Sequence, residues 1–166
     1  MTHLISIDPS ITCTGVAEFD DGEPVAAHRI VPSDSLGTIA KIDWTIAQIE
    51  LIVPRFSICD FVIEITSGKT SSRHKGGGAG LGTYGMAVGH IARHLILTQH
   101  EGRVTQVYEN DWTRGRGSKD KRIAHLKYTC PLYARQYAHM DPGGDIADAI
   151  GLGEWHMMNT RLEATA

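Results

Sequence analysis

Four acidic residues stand at positions where a carboxylate needs a counter-charge. Asp8 ends the apolar run Leu4 to Ile7, and Glu64 ends Phe61-Val62-Ile63. A charge at the edge of a buried strand is costly without a cation, a partner or water. If the two strands are sheet neighbours, the carboxylates lie side by side, and each raises the other's pKa unless a metal neutralises them. Asp145 and Asp148 are three residues apart in a segment of helical period, so they share a face. They lie beside its apolar stripe of Ile146, Ala149, Ile150, Gly153 and Met157, which aims them at the sheet. Four oxygen donors without thiols suit a hard cation such as Mg²⁺ or Mn²⁺. Two such ions can clamp the attacking and leaving oxygens of a phosphodiester displacement. Each acid alone has a plainer reading. Asp8 could belong to a turn, Asp145 could be an N-cap, and both helix aspartates could be favourable first-turn charges. What singles them out is the set in order: strand carboxylate, second strand carboxylate, then a helical D-x-x-D.

The formal net charge is −3, which by itself argues against a nucleic-acid partner. Distribution matters more than the sum. Lys69, Arg73 and Lys75 form one basic group, and Arg114, Arg116, Lys119, Lys121 and Arg122 form a second. Both fall in Gly- and Ser-rich segments that read as loops, where mobile cations can neutralise phosphates. The Gly76 to Gly85 stretch lacks the order of a P-loop and reads as a DNA-contacting loop or a plain connection. His90 and His94 have the spacing of helical zinc ligands but lack the intervening Glu of that motif, so they read as surface or interface groups. Trp44 and Trp155 fall in helical segments and read as packing residues. Trp112, directly before the second basic group, could stack on a base or pack.

The elements that must position these residues follow from periodicity. Leu4 to Ile7, Gly15 to Phe19 and Val25 to Val31 read as a three-strand antiparallel meander, turning at Asp20-Asp21-Gly22-Glu23. Ser35 to Val53 is a helix with an apolar face of Ile39, Ile42, Ile46, Ile49 and Val53, ended by Pro54. Strand Phe61 to Ile63, helix Tyr84 to His100 and strand Arg103 to Tyr108 follow. Two helices close the chain: Lys119 to Thr129, N-capped by Ser118, and Asp145 to about Met158. The small residues Gly85, Ala87, Gly89 and Ala92 give the second helix a close-packing face, suited to a dimer contact or to its own sheet. The order βββαβαβαα predicts an α/β fold: one mixed five-stranded sheet, a meander plus two parallel strands, flanked by helices.

At 166 residues the chain reads as a single domain, 1–166. Cys13, Cys59 and Cys130 are odd in number and far apart, which argues against disulfides and a cysteine zinc site and for buried, unreactive thiols. No apolar run is long enough to span a bilayer, and the N-terminus lacks the features of a secretory signal. These points predict a cytoplasmic protein with no membrane partner and no small-molecule cofactor.

The motifs together resemble those of the RuvC family. Ile5-Ser6-Ile7-Asp8-Pro9-Ser10 followed by Thr14-Gly15-Val16-Ala17 is similar to the family's opening I-D-P-G/S…T-G-V/Y. Val62-Ile63-Glu64 resembles its second acidic motif, and Asp145-Ile146-Ala147-Asp148-Ala149-Ile150 its closing helix. Trp112 to Arg122 resembles its basic loop, G-x-G-x-x-x-K. These motifs cover nearly the whole chain in the family's order. The resemblance implies the RNase H-like fold, a homodimer, and hydrolysis with two Mg²⁺ ions per site, for which Mn²⁺ can substitute. It implies that Asp8, Glu64, Asp145 and Asp148 are the catalytic metal ligands. Lys119 and Lys121 would contact phosphate or stabilise developing charge, with Lys121 favoured by motif position. Its substrate would be a Holliday (four-way) junction, nicked symmetrically by a metal-activated water with no covalent intermediate. Ser67 departs from the family's aromatic three residues after the second acid; Tyr84 could stand in. The short, diverged chain resembles bacteriophage-encoded members, so other branched DNA is also an expected substrate. Three other readings use the same residues: an RNase H-type nuclease on RNA–DNA hybrids, a non-catalytic branched-DNA-binding module, and a sugar-kinase-like ATPase. The last needs two related domains, for which the chain has no room.

Overall fold

Alternation of side chains along the strands divides the core in two. In the computed structural model, which describes residues 3–53, 59–65, 79–98 and 103–164, five strands form one sheet. They are β1 (His3–Asp8), β2 (Thr14–Asp20), β3 (Glu23–Ile30), β4 (Cys59–Ile65) and β5 (Val104–Tyr108), in the order β3-β2-β1-β4-β5. β1 and β2, and β2 and β3, pair antiparallel; β4 runs parallel to both β1 and β5. This is the meander plus two parallel strands that the sequence predicts. Ile5, Ile7, Val16, Phe61 and Ile63 point to one face, where they pack with Ile49, Val88, Ile91 and Leu95. Leu4, Ala17, Phe19, Val62 and Val107 point to the other, against Trp112, Leu126, Ile146, Ile150 and Leu152. A period of two sends neighbouring residues to opposite faces, so both faces of the sheet are covered.

Helices α1 (Thr38–Ile52) and α2 (Ala79–Thr98) cover the first face. Ile42, Thr45 and Ile49 are the buried residues of α1, whereas Ile39 and Trp44 are exposed, against the sequence expectation. The helix begins at Thr38, three residues later than predicted, and the apolar stripe is correspondingly shorter. On α2, Ala87, Val88, Ile91, Ala92 and Leu95 pack inward, and Gly85, Met86, Gly89 and His90 face outward. His94 donates its Nε2–H to Glu50 of α1 at 2.9 Å, whereas His90 is exposed.

The second face is covered by α4 (Lys119–Thr129) and α5 (Asp145–Ala164). A short helix α3 (Glu109–Thr113) precedes α4, and a π-helical turn (Tyr133–Tyr137) lies between α4 and α5; neither is expected from the sequence. Cys13, Cys59 and Cys130 are buried free thiols, as expected. No helix among the described residues is long and apolar enough to cross a membrane.

Candidate metal centre

The register of the sheet sets the first two carboxylates. Ile7 of β1 pairs with Ile63 of β4, so the next residues, Asp8 and Glu64, lie side by side at the same edge of two parallel strands. Both follow the alternation of Leu4 and Val62 onto the α5 side. Glu64 is buried at 9% exposure.

Helix α5 supplies the other two, and three devices fix it on the sheet. Gly15 of β2 lies against the backbone of Asp145 and Ile146, where a Cβ would overlap the Asp145 carbonyl. Buried Ser6 of β1 donates its hydroxyl to the Ala149 carbonyl at 2.6 Å. Buried Asp141 caps the helix, accepting the backbone N–H of Ile146 at 3.2 Å and of Ala147 at 3.0 Å. The Tyr133 hydroxyl donates to the same carboxylate at 3.1 Å. Asp141 therefore does the capping work that the sequence allows to Asp145, satisfying two of the helix's unpaired N–H groups. Asp145 is left free to turn its side chain to the site. Ser118 does occupy the N-cap position of α4, without a side-chain hydrogen bond.

All four oxygens of the helix aspartates meet cationic side chains. Lys119 Nζ lies 2.8 Å from Asp148 Oδ2 and 3.9 Å from Asp145 Oδ1. Arg122 Nη2 lies 3.1 Å from Asp148 Oδ1, and Arg29 Nε lies 3.5 Å from Asp145 Oδ2. Asp8 and Glu64 have no such ion pair among the described residues. Glu64 Oε2 instead accepts the indole N–H of Trp112 at 2.7 Å. As they stand, no three His, Cys, Asp or Glu side chains among the described residues converge closely enough to share one ion. On the two helix aspartates, the protein's own cations occupy oxygens that an added ion would use.

The electrostatics nevertheless fit a hard divalent cation. Burial pushes the Asp8 carboxyl well above its ordinary range; Glu64, Asp148 and Asp145 add to this, and Lys119 opposes it. Burial also raises Glu64 from 4.5 to about 7, against the Trp112 hydrogen bond and Arg122, with Glu109 and Asp148 adding repulsion. Excess negative potential among all-oxygen donors is what Mg²⁺ or Mn²⁺ would relieve. Cys13 lies beside Asp145, and its thiol is raised to about 12 by burial and by that carboxylate, so it is not a thiolate donor.

The raised carboxyls have a consequence for stability. Below about pH 4.5, Glu64 is protonated both folded and unfolded; between 4.5 and about 7 the unfolded chain loses the proton first. Asp8, raised in the same direction, adds to the effect. Metal-free stability contributed by this site is therefore expected to fall as pH rises through that window. Mg²⁺ should raise Tm above the window and have little effect below it, because it binds the ionised form. Calorimetric melts in chelator and in Mg²⁺ check this; a Mg²⁺ effect independent of pH would contradict it.

The basic residues divide. Lys119 and Arg122 are in the site, three residues apart on one face of α4. Lys121 is exposed, its stem lying over Gly117, where a Cβ would come 3.0 Å from its Cδ. Arg114 is exposed, and Arg116 donates to the Gly151 carbonyl at 3.3 Å. Lys69, Arg73 and Lys75 lie outside the described residues, as do Ser67 and the Gly76 to Gly78 run. Tyr84 donates its hydroxyl to the Glu64 carbonyl at 3.3 Å and is partly buried beside the site.

Four neighbours of the acids are missed by sequence reading. Trp112 is 1% exposed, which excludes base stacking by its buried ring in this arrangement. Arg29 and Asp141 carry no motif signal. Glu109 does: it follows the strand Val104–Tyr108 as Asp8 and Glu64 end theirs, and it repels Glu64.

No family model matches the sequence, and no curated protein matches it. Solved structures do match the fold, two RuvC structures among them. The structure of T. thermophilus RuvC in complex with a Holliday junction substrate is similar over 98% of this chain and 96% of that one, with a TM-score of 0.72 and 13% identity. A Thermus thermophilus RuvC structure is similar over 98% and 97%, with a TM-score of 0.66 and 15% identity. The chain has the RuvC fold, a mixed sheet of the RNase H-like class flanked by helices.

Proposed function

We propose that this chain is a Mg²⁺-dependent endonuclease that resolves four-way DNA junctions and related branched DNA as a homodimer. The observation that carries this reading is the placement of Glu64, Asp145 and Asp148 within electrostatic reach of Asp8, from two strands and one helix, at one edge of a RuvC-type sheet. Asp8 and Glu64, with Asp145 and Asp148 opposite, would hold the metal. Bound Mg²⁺ supplies Lewis acidity, promoting ionisation of the attacking water and offsetting charge on the phosphate. The protein's part is to hold the carboxylates and to bring cations to the phosphodiester. Lys119 and Arg122 already stand among the acids and would meet the charge that develops on the phosphate. Exposed Arg114 and Lys121 would take neighbouring phosphates, joined by Lys69, Arg73 and Lys75.

The similar RuvC structure is bound to a Holliday junction, which supports branched DNA as the substrate class here. Resolution needs one nick in each of two opposed strands, hence two sites and a dimer. The outward face of α2, with Gly85, Met86 and Gly89, suits that contact, since a Cβ at either glycine meets nothing within 4 Å among the described residues.

The test is cleavage with Mg²⁺ of a synthetic four-way junction, a Y-fork, a linear duplex and an RNA–DNA hybrid. Paired symmetric nicks in the junction, with ligatable ends, are expected. Cutting of the hybrid alone would move the activity to RNase H chemistry. Tight junction binding without cutting under Mg²⁺ or Mn²⁺ would leave a binding module.

A further inference from the structure

We propose that Trp112 is a positioning residue of the metal centre, tying the strand carboxylate Glu64 to the helix carboxylate Asp148. The inference rests on the metal-site reading above. Its indole N–H donates to Glu64 Oε2 at 2.7 Å, in a pocket where Trp112 is 1% exposed. An indole N–H is a donor only, so this bond fixes one carboxylate oxygen and leaves the other available to an ion. The Arg122 guanidinium lies over the indole ring, 5.1 Å from its centroid, and bonds Asp148 through Nε at 3.3 Å and Nη2 at 3.1 Å. The run Glu64–Trp112–Arg122–Asp148 thus crosses from β4 to α5 through one side chain of α3 and one of α4.

The fold makes room for this bridge. α3 begins directly after β5, the neighbour of β4, and so carries Trp112 to the Glu64 end of the sheet. On α5, Gly151 leaves space for the indole: a Cβ there would come 3.1 Å from its ring. Groups that orient metal ligands matter nearly as much as the ligands, because an unfixed carboxylate must be ordered each time an ion binds.

The test measures metal and not cleavage. Mn²⁺ binding to the DNA-free protein is followed by electron paramagnetic resonance for wild type and Trp112→Phe, which keeps an aromatic ring and removes the donor. Mn²⁺ affinity should fall by about tenfold or more. Thermal melts establish that the variant is folded. A folded Trp112→Phe protein with wild-type affinity would overturn the proposal. Wild type that fails to bind Mn²⁺ would instead overturn the metal reading itself, which keeps the two failures apart. Should Trp112→Phe not fold, the wild-type indole N–H resonance decides, isolated in a Trp44→Phe/Trp155→Phe background. It should move saturably with Mg²⁺ and lose that response in Glu64→Gln. An indole resonance indifferent to Mg²⁺ would overturn the proposal.

Discussion

Asp8→Asn should lose junction cleavage by about 10³-fold or more while remaining folded, because it removes one charge from a set of ligands that acts as a unit. The loss should appear in kcat with junction binding retained, since Asp8 is not among the phosphate-contacting cations. Its stability should equal or exceed that of wild type without metal. The Asp8 carboxyl is held above its ordinary range by burial first, then by Glu64, Asp148 and Asp145, so its charge opposes folding. A neutral amide of the same shape relieves that repulsion. Two measurements on one sample, gel cleavage with Mg²⁺ and a metal-free melt, therefore should move in opposite directions. Cleavage within tenfold of wild type would remove Asp8 from the metal site. Lost cleavage accompanied by a large fall in Tm would make it a structural residue.

The second large effect concerns a glycine. Gly15→Ala places a methyl group inside contact distance of the Asp145 carbonyl and 3.2 Å from the Ile146 nitrogen. These are backbone atoms of a capped helix start, so neither can swing aside as a side-chain tip would. The variant must lift the N-terminus of α5 from β2, at a cost of about 3 kcal/mol or more. For a chain of this size the expected fall in Tm is roughly 10 °C. Because Asp145 opens α5 and Asp148 lies one turn on, Mn²⁺ affinity should drop with stability. Gly82→Ala, where a Cβ meets nothing within 4 Å among the described residues, is the control and should be neutral or slightly stabilising. A Gly15→Ala protein that melts like wild type would mean that α5 does not need its close approach to β2.

The sequence by itself carries the fold, because the information is local and periodic. Short apolar runs at Leu4 to Ile7 and Phe61 to Ile63, helical spacing in Ala149, Ile150 and Gly153, and turn residues between them give the sheet and its covering helices. It also offers Asp8 and Glu64 as candidates, because a carboxylate after a buried strand conflicts with its surroundings wherever the strand is placed, and Asp145 and Asp148 through their shared helical face. Glu109 follows the same rule and could have been read the same way. What stays local but weak goes astray or stays open: Ile39 fits the stripe of α1 yet is exposed in its first turn, and Trp112, which the sequence leaves between stacking and packing, is buried.

Only the tertiary structure decides which cations serve the acids. Arg29 comes from β3 and Lys119 and Arg122 from α4, and the distance in sequence to Asp145 or Asp148 says nothing of reach. Lys121 has the motif position, but a helix turns 100° per residue, so Lys119 and Arg122 share one face and Lys121 faces elsewhere. The same holds for Asp141, whose capping role depends on a turn closed by Gly144 in a left-handed conformation at φ +71°. Spacing along a chain fixes which residues share an element; the packing of elements fixes which charges meet, and here it brings Lys119 and Arg122 to Asp148 and Arg29 to Asp145.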